Sequence, residues 1–307
     1  MKQRPFKQVD VFTATPYFGN PLAVVLDGSG LSDDEMQRFA RWTNLSETTF
    51  LLPPSDASAD YRVRIFTPGG ELPFAGHPTL GSCHSWLQAG GQPAGQDFIV
   101  QECQVGLVKI RREPGTQRLA FAAPPLKRSA PSPVLLAQVA AALGVKATQI
   151  IAAQLLDNGP LWLGLLLDSP ETVLQLMPDH AALEKLDAKV GVAARYPREE
   201  ASPLIARANR EARAFGSAAA ANSHTEPDLE VRAFAASIGV NEDPVTGSLN
   251  ASLAQWLIAE AHLPARYLAS QGVCLGRAGL VQIERDESGQ VWVGGESVTC
   301  IDGKVRL

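Results

Sequence analysis

One short signature occurs twice in this chain, and it constrains the fold more than any other feature. His77-Pro78-Thr79-Leu80-Gly81-Ser82 returns 166 residues later (77 to 243, 82 to 248) as Asp243-Pro244-Val245-Thr246-Gly247-Ser248. Arg64-Ile65-Phe66 precedes the first copy and Arg232-Ala233-Phe234 the second. Trp86-Leu87 and Trp256-Leu257 follow them. Such spacing predicts two related lobes, each offering a helix N-terminus to a shared site.

A polar residue followed by proline is a helix-start signal. Asp243 suits an N-cap, because its side chain accepts an unpaired N–H of the first turn. Proline suits the first helical position, where its missing N–H costs nothing. His77 stands in the corresponding place, with Gly76 and Gly247-Ser248 close to the two starts. The 166-residue register also pairs Cys83 with Leu249 and His84 with Asn250. Two helix starts facing each other would receive a carboxylate on free N–H groups and positive dipole ends. The same field favours an ionised Asp243 and a neutral His77.

At 307 residues the chain is long enough for two domains, and its 45% hydrophobic content supports sizeable cores. The net charge of −5, with scattered cations, argues against a nucleic-acid surface. The start lacks the apolar run of a signal peptide. Leu161 to Leu167, the most apolar stretch, is too short to span a bilayer. A soluble cytoplasmic protein without a membrane partner is therefore expected. The four cysteines form no C-x-x-C pair and are expected to be reduced core residues. No His/Asp/Glu cluster has metal-ligand spacing, and neither G-x-G-x-x-G nor G-x-x-x-x-G-K occurs. No metal and no cofactor are expected.

Strands are predicted at Gln8–Thr13, Leu22–Leu26, Thr48–Leu52, Tyr61–Phe66, Phe98–Glu102, Gly106–Arg111 and Arg118–Phe121. Further strands fall at Ile150–Leu155, Leu161–Leu167, Leu204–Ala208 and Glu230–Ala235, with four more from Val273 onward. Ser32 and Glu35 form a capping-box signature. Helices are predicted from Ser32 to Trp42, Leu80 to Gln88, Val134 to Leu143 and Ser248 to Ala261, with two short ones between Pro170 and Leu186. The Pro-rich stretch from Pro124 to Pro133 marks the connection between lobes. It places an N-terminal lobe at 1–125, which 297–307 could complete, and a C-terminal lobe at 126–296. The fold class is α+β, two pseudo-symmetric lobes, each a curved mixed sheet around a central helix.

Several segments resemble the PhzF-like phenazine-biosynthesis isomerase family. They are Val9-Asp10-Val11-Phe12-Thr13, Phe18-Gly19-Asn20-Pro21-Leu22-Ala23-Val24-Val25 and Asn44-Leu45-Ser46-Glu47-Thr48. To these add the run from Glu71 to Gly81, Glu242-Asp243-Pro244-Val245-Thr246-Gly247-Ser248, Gln271-Gly272 and Gly276-Arg277. The resemblance implies a fold similar to diaminopimelate epimerase, with the site between lobes, and a homodimer. The epimerases use a cysteine pair; no cysteine stands at either motif here, which excludes thiol-based racemisation. The resemblance further implies a cofactor-free isomerase in which a glutamate moves a proton between ring carbons of a small carboxylate. Glu47 matches that glutamate, His77 and Asp243 match the polar pair around the substrate, and Gly76, Gly247 and Ser248 match contacts at the helix ends.

The residues alone support the same choice. A carboxylate entering the apolar run Phe50-Leu51-Leu52 is costly unless it has work or a partner. Burial would raise its pKa toward the range useful in proton transfer. His77 then serves as a neutral hydrogen-bond partner or relay. Asp243 accepts from a substrate amine or holds one His77 tautomer. His84, two helical turns on, is a fringe candidate. Two alternatives remain open: a non-catalytic small-molecule binder using the same cleft, and an amino- or hydroxy-acid epimerase pairing Glu47 with another base.

Overall fold

A computed structural model describes residues 2–113, 115–197 and 226–307. The expected strand at Leu204–Ala208 lies outside them. Strands hydrogen-bond into one continuous run that reads as two matched series joined back to back. From its outer edge the first series is Ser297–Arg306, Gln3–Val11, Asn20–Val25, Glu47–Leu52, Tyr61–Phe66, Ile99–Cys103, Gly106–Arg112 and Leu119–Ala122. The second is Lys127–Ser129, Ile150–Asp157, Leu161–Leu167, Val190–Arg195, Leu229–Ala235, Arg266–Gln271, Gly279–Arg285 and Val291–Gly295. The third and fourth members pair in parallel in both series, as do the fifth and sixth; the other neighbours are antiparallel. The seam is the pairing of Leu119–Ala122 with Val291–Gly295. The final strand therefore sits beside the first, with Gln3 opposite Arg306 and Val11 opposite Ser297.

The strands form where apolar residues recur with period two. Tyr61, Val63 and Ile65 point inward while Arg62 and Arg64 point outward. Each series curves around one helix of 13 residues, Gly76–Gln88 in the first and Gly247–Ala259 in the second. Both are buried on nearly every side over their first turns, so neither is amphipathic in the ordinary surface sense. Leu80 and Cys83 enter the core from one, and Leu249, Leu253 and Trp256 from the other. A smaller core under Pro133–Leu143, Pro170–Gln175 and His180–Lys185 gathers Val139, Leu165, Val173, Leu183 and Phe234. Ser32 and Glu35 make the expected capping box, and Gly144 closes its helix in the left-handed conformation. Val273–Leu275, expected as a strand, is a single 3-10 turn. Among the described residues, no helix is long and apolar enough to cross a membrane.

The repeat is real, but its register differs from the one read in the sequence. Arg64 and Arg232 lie 168 residues apart, whereas the helix starts Gly76 and Gly247 lie 171 apart. Three extra residues fall between them in the second half, where the 3-10 turn Ala236–Ile238 replaces the Gly69-Gly70 turn. Side-chain contacts confirm the corrected register. Arg64 Nε and Nη2 donate to both oxygens of Glu71 at 2.7 and 2.6 Å. Arg232 makes the same fork to Glu242 at 2.9 and 2.8 Å. Each guanidinium lies 5.0 Å over the phenylalanine two residues on, Phe66 or Phe234. Thr79 then matches Asn250, and these bond to Gln101 and Gln271 respectively.

The corrected register changes what Asp243 and His77 are. The second helix is preceded by Thr246, with no side-chain cap, and Asp243 instead ends the strand Val240–Asp243. It pairs with Ala233, in the place that Leu72 takes opposite Ile65. The first helix begins at Gly76 after Ala75, so His77 is its second residue and corresponds to Ser248. His84 is matched by Gln255, not Asn250, and Cys83 by Ala254, not Leu249. The proline signals misled because Pro78 stands inside the first turn and Pro244 before the second helix.

Candidate active site

The two helix starts meet backbone to backbone. A Cβ on Gly76 would lie 2.9 Å from the Cα of Gly247, and one on Gly247 would lie 2.9 Å from the Cα of Gly76. Only glycine at both positions permits this approach, because real Cβ contacts do not come so close. Around the contact the structure gathers residues from both halves. Glu47 opens its strand, His77 follows Gly76, and Asp243 arrives on the strand before the second helix. Ser248 sits at that helix start, where its hydroxyl accepts from Trp162 Nε1 at 3.3 Å and its carbonyl from Asn158 at 3.0 Å.

The centre of the cluster is Asn20, a residue that sequence reasoning did not select. It is fully buried. Its amide nitrogen donates to Asp243 Oδ1 at 2.8 Å and to the Val245 carbonyl at 2.9 Å. It also lies 3.4 Å from His77 Nδ1. An amide carries only two N–H groups, and the two shorter bonds use both. The backbone of Pro21 also favours a proton on the His77 ring. The other ring nitrogen, Nε2, lies 3.4 Å from Glu47 Oε2. Thr246 Oγ1 donates to the other Asp243 oxygen at 2.6 Å, and Gln271 Nε2 holds the Asp243 carbonyl at 3.0 Å. The signal available for Asn20 was its place in Phe18-Gly19-Asn20-Pro21, a sequence that also satisfies an ordinary turn.

Burial sets the protonation of this group. His77 is 4% exposed and the Glu47 side chain 16% exposed. Desolvation pushes the His77 pKa down to about 4, against the pull of Asp243, so the ring is neutral. Desolvation raises the Glu47 carboxyl well above its ordinary value, and Ser46 and Lys189 only partly offset it. Asp243 is raised too, first by burial and then by the charge of Glu47. Glu47 Oε2 and His77 Nε2 face each other without a properly aligned hydrogen bond to any group. The arrangement can hold, release and return one proton at a carboxyl group.

His84 does not join the cluster; its Nε2 contacts Thr299 on the final strand at 3.1 Å. A cleft of about 700 Å³ lies elsewhere, over Arg111, Tyr267, Glu284 and Trp292, and contains none of these residues. Among the described residues, no group of three or more His, Cys, Asp or Glu side chains is placed to hold a metal ion.

A family model of phenazine biosynthesis-like proteins, PhzC-PhzF, matches residues 9–303. The chain belongs to this family. The antisense-enhancing sequence 1 protein of Schizosaccharomyces pombe is 35% identical over 99% of each chain. The trans-2,3-dihydro-3-hydroxyanthranilate isomerase of Pseudomonas aeruginosa is 32% identical, over 97% of this chain and 98% of its own. Among solved structures, a PhzF-family phenazine biosynthesis protein from Enterococcus faecalis superposes over 100% of both chains, with a TM-score of 0.75 and 25% identity. The fold expected from the resemblance, two pseudo-symmetric α+β lobes, is thus the fold of the PhzC-PhzF family.

Proposed function

We propose that the chain is an isomerase that moves a proton along a small carboxylate substrate by general acid–base catalysis. Glu47 is the group that carries the proton. As a carboxylate it takes hydrogen from one carbon, and the electron pair left behind shifts along the conjugated system. As a carboxylic acid it returns the hydrogen to another carbon. The enzyme ends unchanged, and no electrons enter or leave. Burial favours the acid form, which holds the proton between the two steps, where it exchanges with solvent before it is returned. His77, neutral and with Nε2 free, accepts from the protonated Glu47 and fixes its direction. Asp243, held through Asn20, Thr246 and Gln271, is placed to accept from a substrate amine.

The single observation carrying this reading is the secluded approach of Glu47 Oε2 to Nε2 of His77 at 3.4 Å. Similarity to an isomerase of trans-2,3-dihydro-3-hydroxyanthranilate supplies the substrate to try first. The test is to incubate the protein with that compound in D₂O and follow deuterium at its ring carbons by NMR. Wild type should incorporate deuterium as the double bond migrates. Glu47→Gln should slow both by roughly 10² to 10⁴. Undiminished exchange in Glu47→Gln would remove the assignment.

A further inference from the structure

Gln271, the last residue of the strand Arg266–Gln271, is fully buried beside the start of the second helix. All of its hydrogen-bonding capacity is used. Oε1 accepts from the Thr246 backbone N–H at 3.0 Å and from Asn250 Nδ2 at 2.9 Å. Nε2 donates to the Asp243 carbonyl at 3.0 Å and to Thr246 Oγ1 at 2.9 Å. The two backbone partners fix which end of the amide is oxygen and which is nitrogen, since an N–H only donates and a carbonyl only accepts.

The Thr246 hydroxyl is oriented in consequence. It receives a hydrogen from Gln271, and its own single hydrogen goes to Asp243 Oδ2 at 2.6 Å. Asn20 Nδ2 serves the other oxygen, Oδ1, at 2.8 Å. Hydrogen bonds received on both oxygens favour the ionised form of a carboxyl group. Burial and the charge of Glu47 press Asp243 the other way, and His77, Thr246 and Asn20 oppose them.

The first half contains a similar pair with a different ending. Gln101 Nε2 donates to Thr79 Oγ1 at 3.0 Å, but the Thr79 hydroxyl passes its hydrogen to the Ala75 carbonyl at 2.9 Å. That chain closes on the main chain and braces a helix. The chain from Gln271 ends on a side chain of the site.

We propose that Gln271 is a positioning residue acting through Thr246: it turns the threonine hydroxyl onto Asp243, so that Asp243 meets the substrate as a hydrogen-bond acceptor and selects one that brings an amine or hydroxyl donor. This rests on the isomerase reading in placing Asp243 against the substrate.

The test follows the Asp243 carboxyl by carbon NMR in full-length protein carrying isotope-labelled aspartate, its resonance identified by its absence from Asp243→Asn. Gln271→Met should raise the midpoint of its titration by about one pH unit, the scale of one hydrogen bond to a charged group. Thr246→Val should raise it equally, and Gln271→Met should add nothing in a Thr246→Val background. Thr246→Ser, which keeps the hydroxyl, should retain the wild-type midpoint. Turnover of trans-2,3-dihydro-3-hydroxyanthranilate by Gln271→Met should fall roughly fivefold near pH 6 and return to the wild-type rate near pH 9, where Asp243 is ionised again. A merely structural glutamine would lower the rate alike at both. An unchanged midpoint in a Gln271→Met protein that melts cooperatively overturns the proposal, and so does a further rise in the double variant. Where Gln271→Met does not fold, the threonine variants decide: an unchanged midpoint in Thr246→Val overturns the proposal, and a rise there that is absent from Thr246→Ser supports it. Deuterium exchange in Glu47→Gln separates the two readings. Exchange lost there, with unchanged midpoints, removes the role of Gln271 and leaves the isomerase. Full exchange there, with raised midpoints, leaves the oriented Asp243 without the proposed chemistry.

Discussion

At the residue scale, the site is built from groups whose burial opposes their charge. An unfolded chain releases the Glu47 proton near its ordinary 4.5, whereas the folded chain holds it to higher pH. Its contribution to stability is thus complete below 4.5 and is lost as pH rises through the folded value. His77 acts in the opposite sense. Its ring is neutral in both states above 6.5, and stability is lost as pH falls from there toward about 4. Glu47→Gln should therefore raise the melting temperature at pH 8, by an amount corresponding to roughly 1–3 kcal/mol, and leave it unchanged at pH 4. Equal effects at both pH values would contradict the assigned burial of the charge. Glu47, His77 and Asp243 were legible because each stands beside a strong local signal, an apolar run or a proline. Asn20 was not, because a turn accounts for it equally well. Its importance comes from long-range bonds to Asp243 and Val245 that no local window contains.

At the element scale, each half braces its strand-to-helix connection with an arginine fork, and the two forks differ in burial. The side chains of Arg232 and Glu242 are 6% and 8% exposed, and those of Arg64 and Glu71 18% and 19%. Arg232 also donates to the carbonyls of Val173 and Leu176, at 3.1 and 2.9 Å. Removing it strands a buried carboxylate and two carbonyls at once. Arg232→Met should cost about 3–5 kcal/mol in urea unfolding. Arg64→Met, at a wetter site, should cost about 1 kcal/mol. A reversed order would mean that burial does not govern these pairs. The Arg-x-Phe likeness was visible in the sequence, but the forks were not. Their glutamates follow after seven residues in one half and ten in the other, and a fixed offset cannot bridge a three-residue insertion. The same insertion made His-Pro and Asp-Pro look equivalent. The strong helix-start signal of proline then favoured the wrong alignment over the correct one, Gly76-His77 on Gly247-Ser248.

At the scale of the whole molecule, the final strand belongs structurally beside the first. It pairs along Gln3–Val11, and its Val305 packs, as Phe6 does, against the small core of Val25, Met36 and Phe50. A chain ending at residue 296 should lose its cooperative thermal transition and become sensitive to dilute protease, since Gln3–Val11 would keep only one neighbour. An unaltered melt would show that the strand is dispensable. The two-lobed architecture could be inferred from repetition, but the pairing order of the strands depends on contacts spanning hundreds of residues. One further consequence follows from the paired glycines at the helix starts. Because Gly76 and Gly247 touch through main chain alone, a single methyl group at either acts as a wedge with no rotamer through which to retreat. It would prise the halves apart at the point nearest Glu47 and His77 without altering any polar atom.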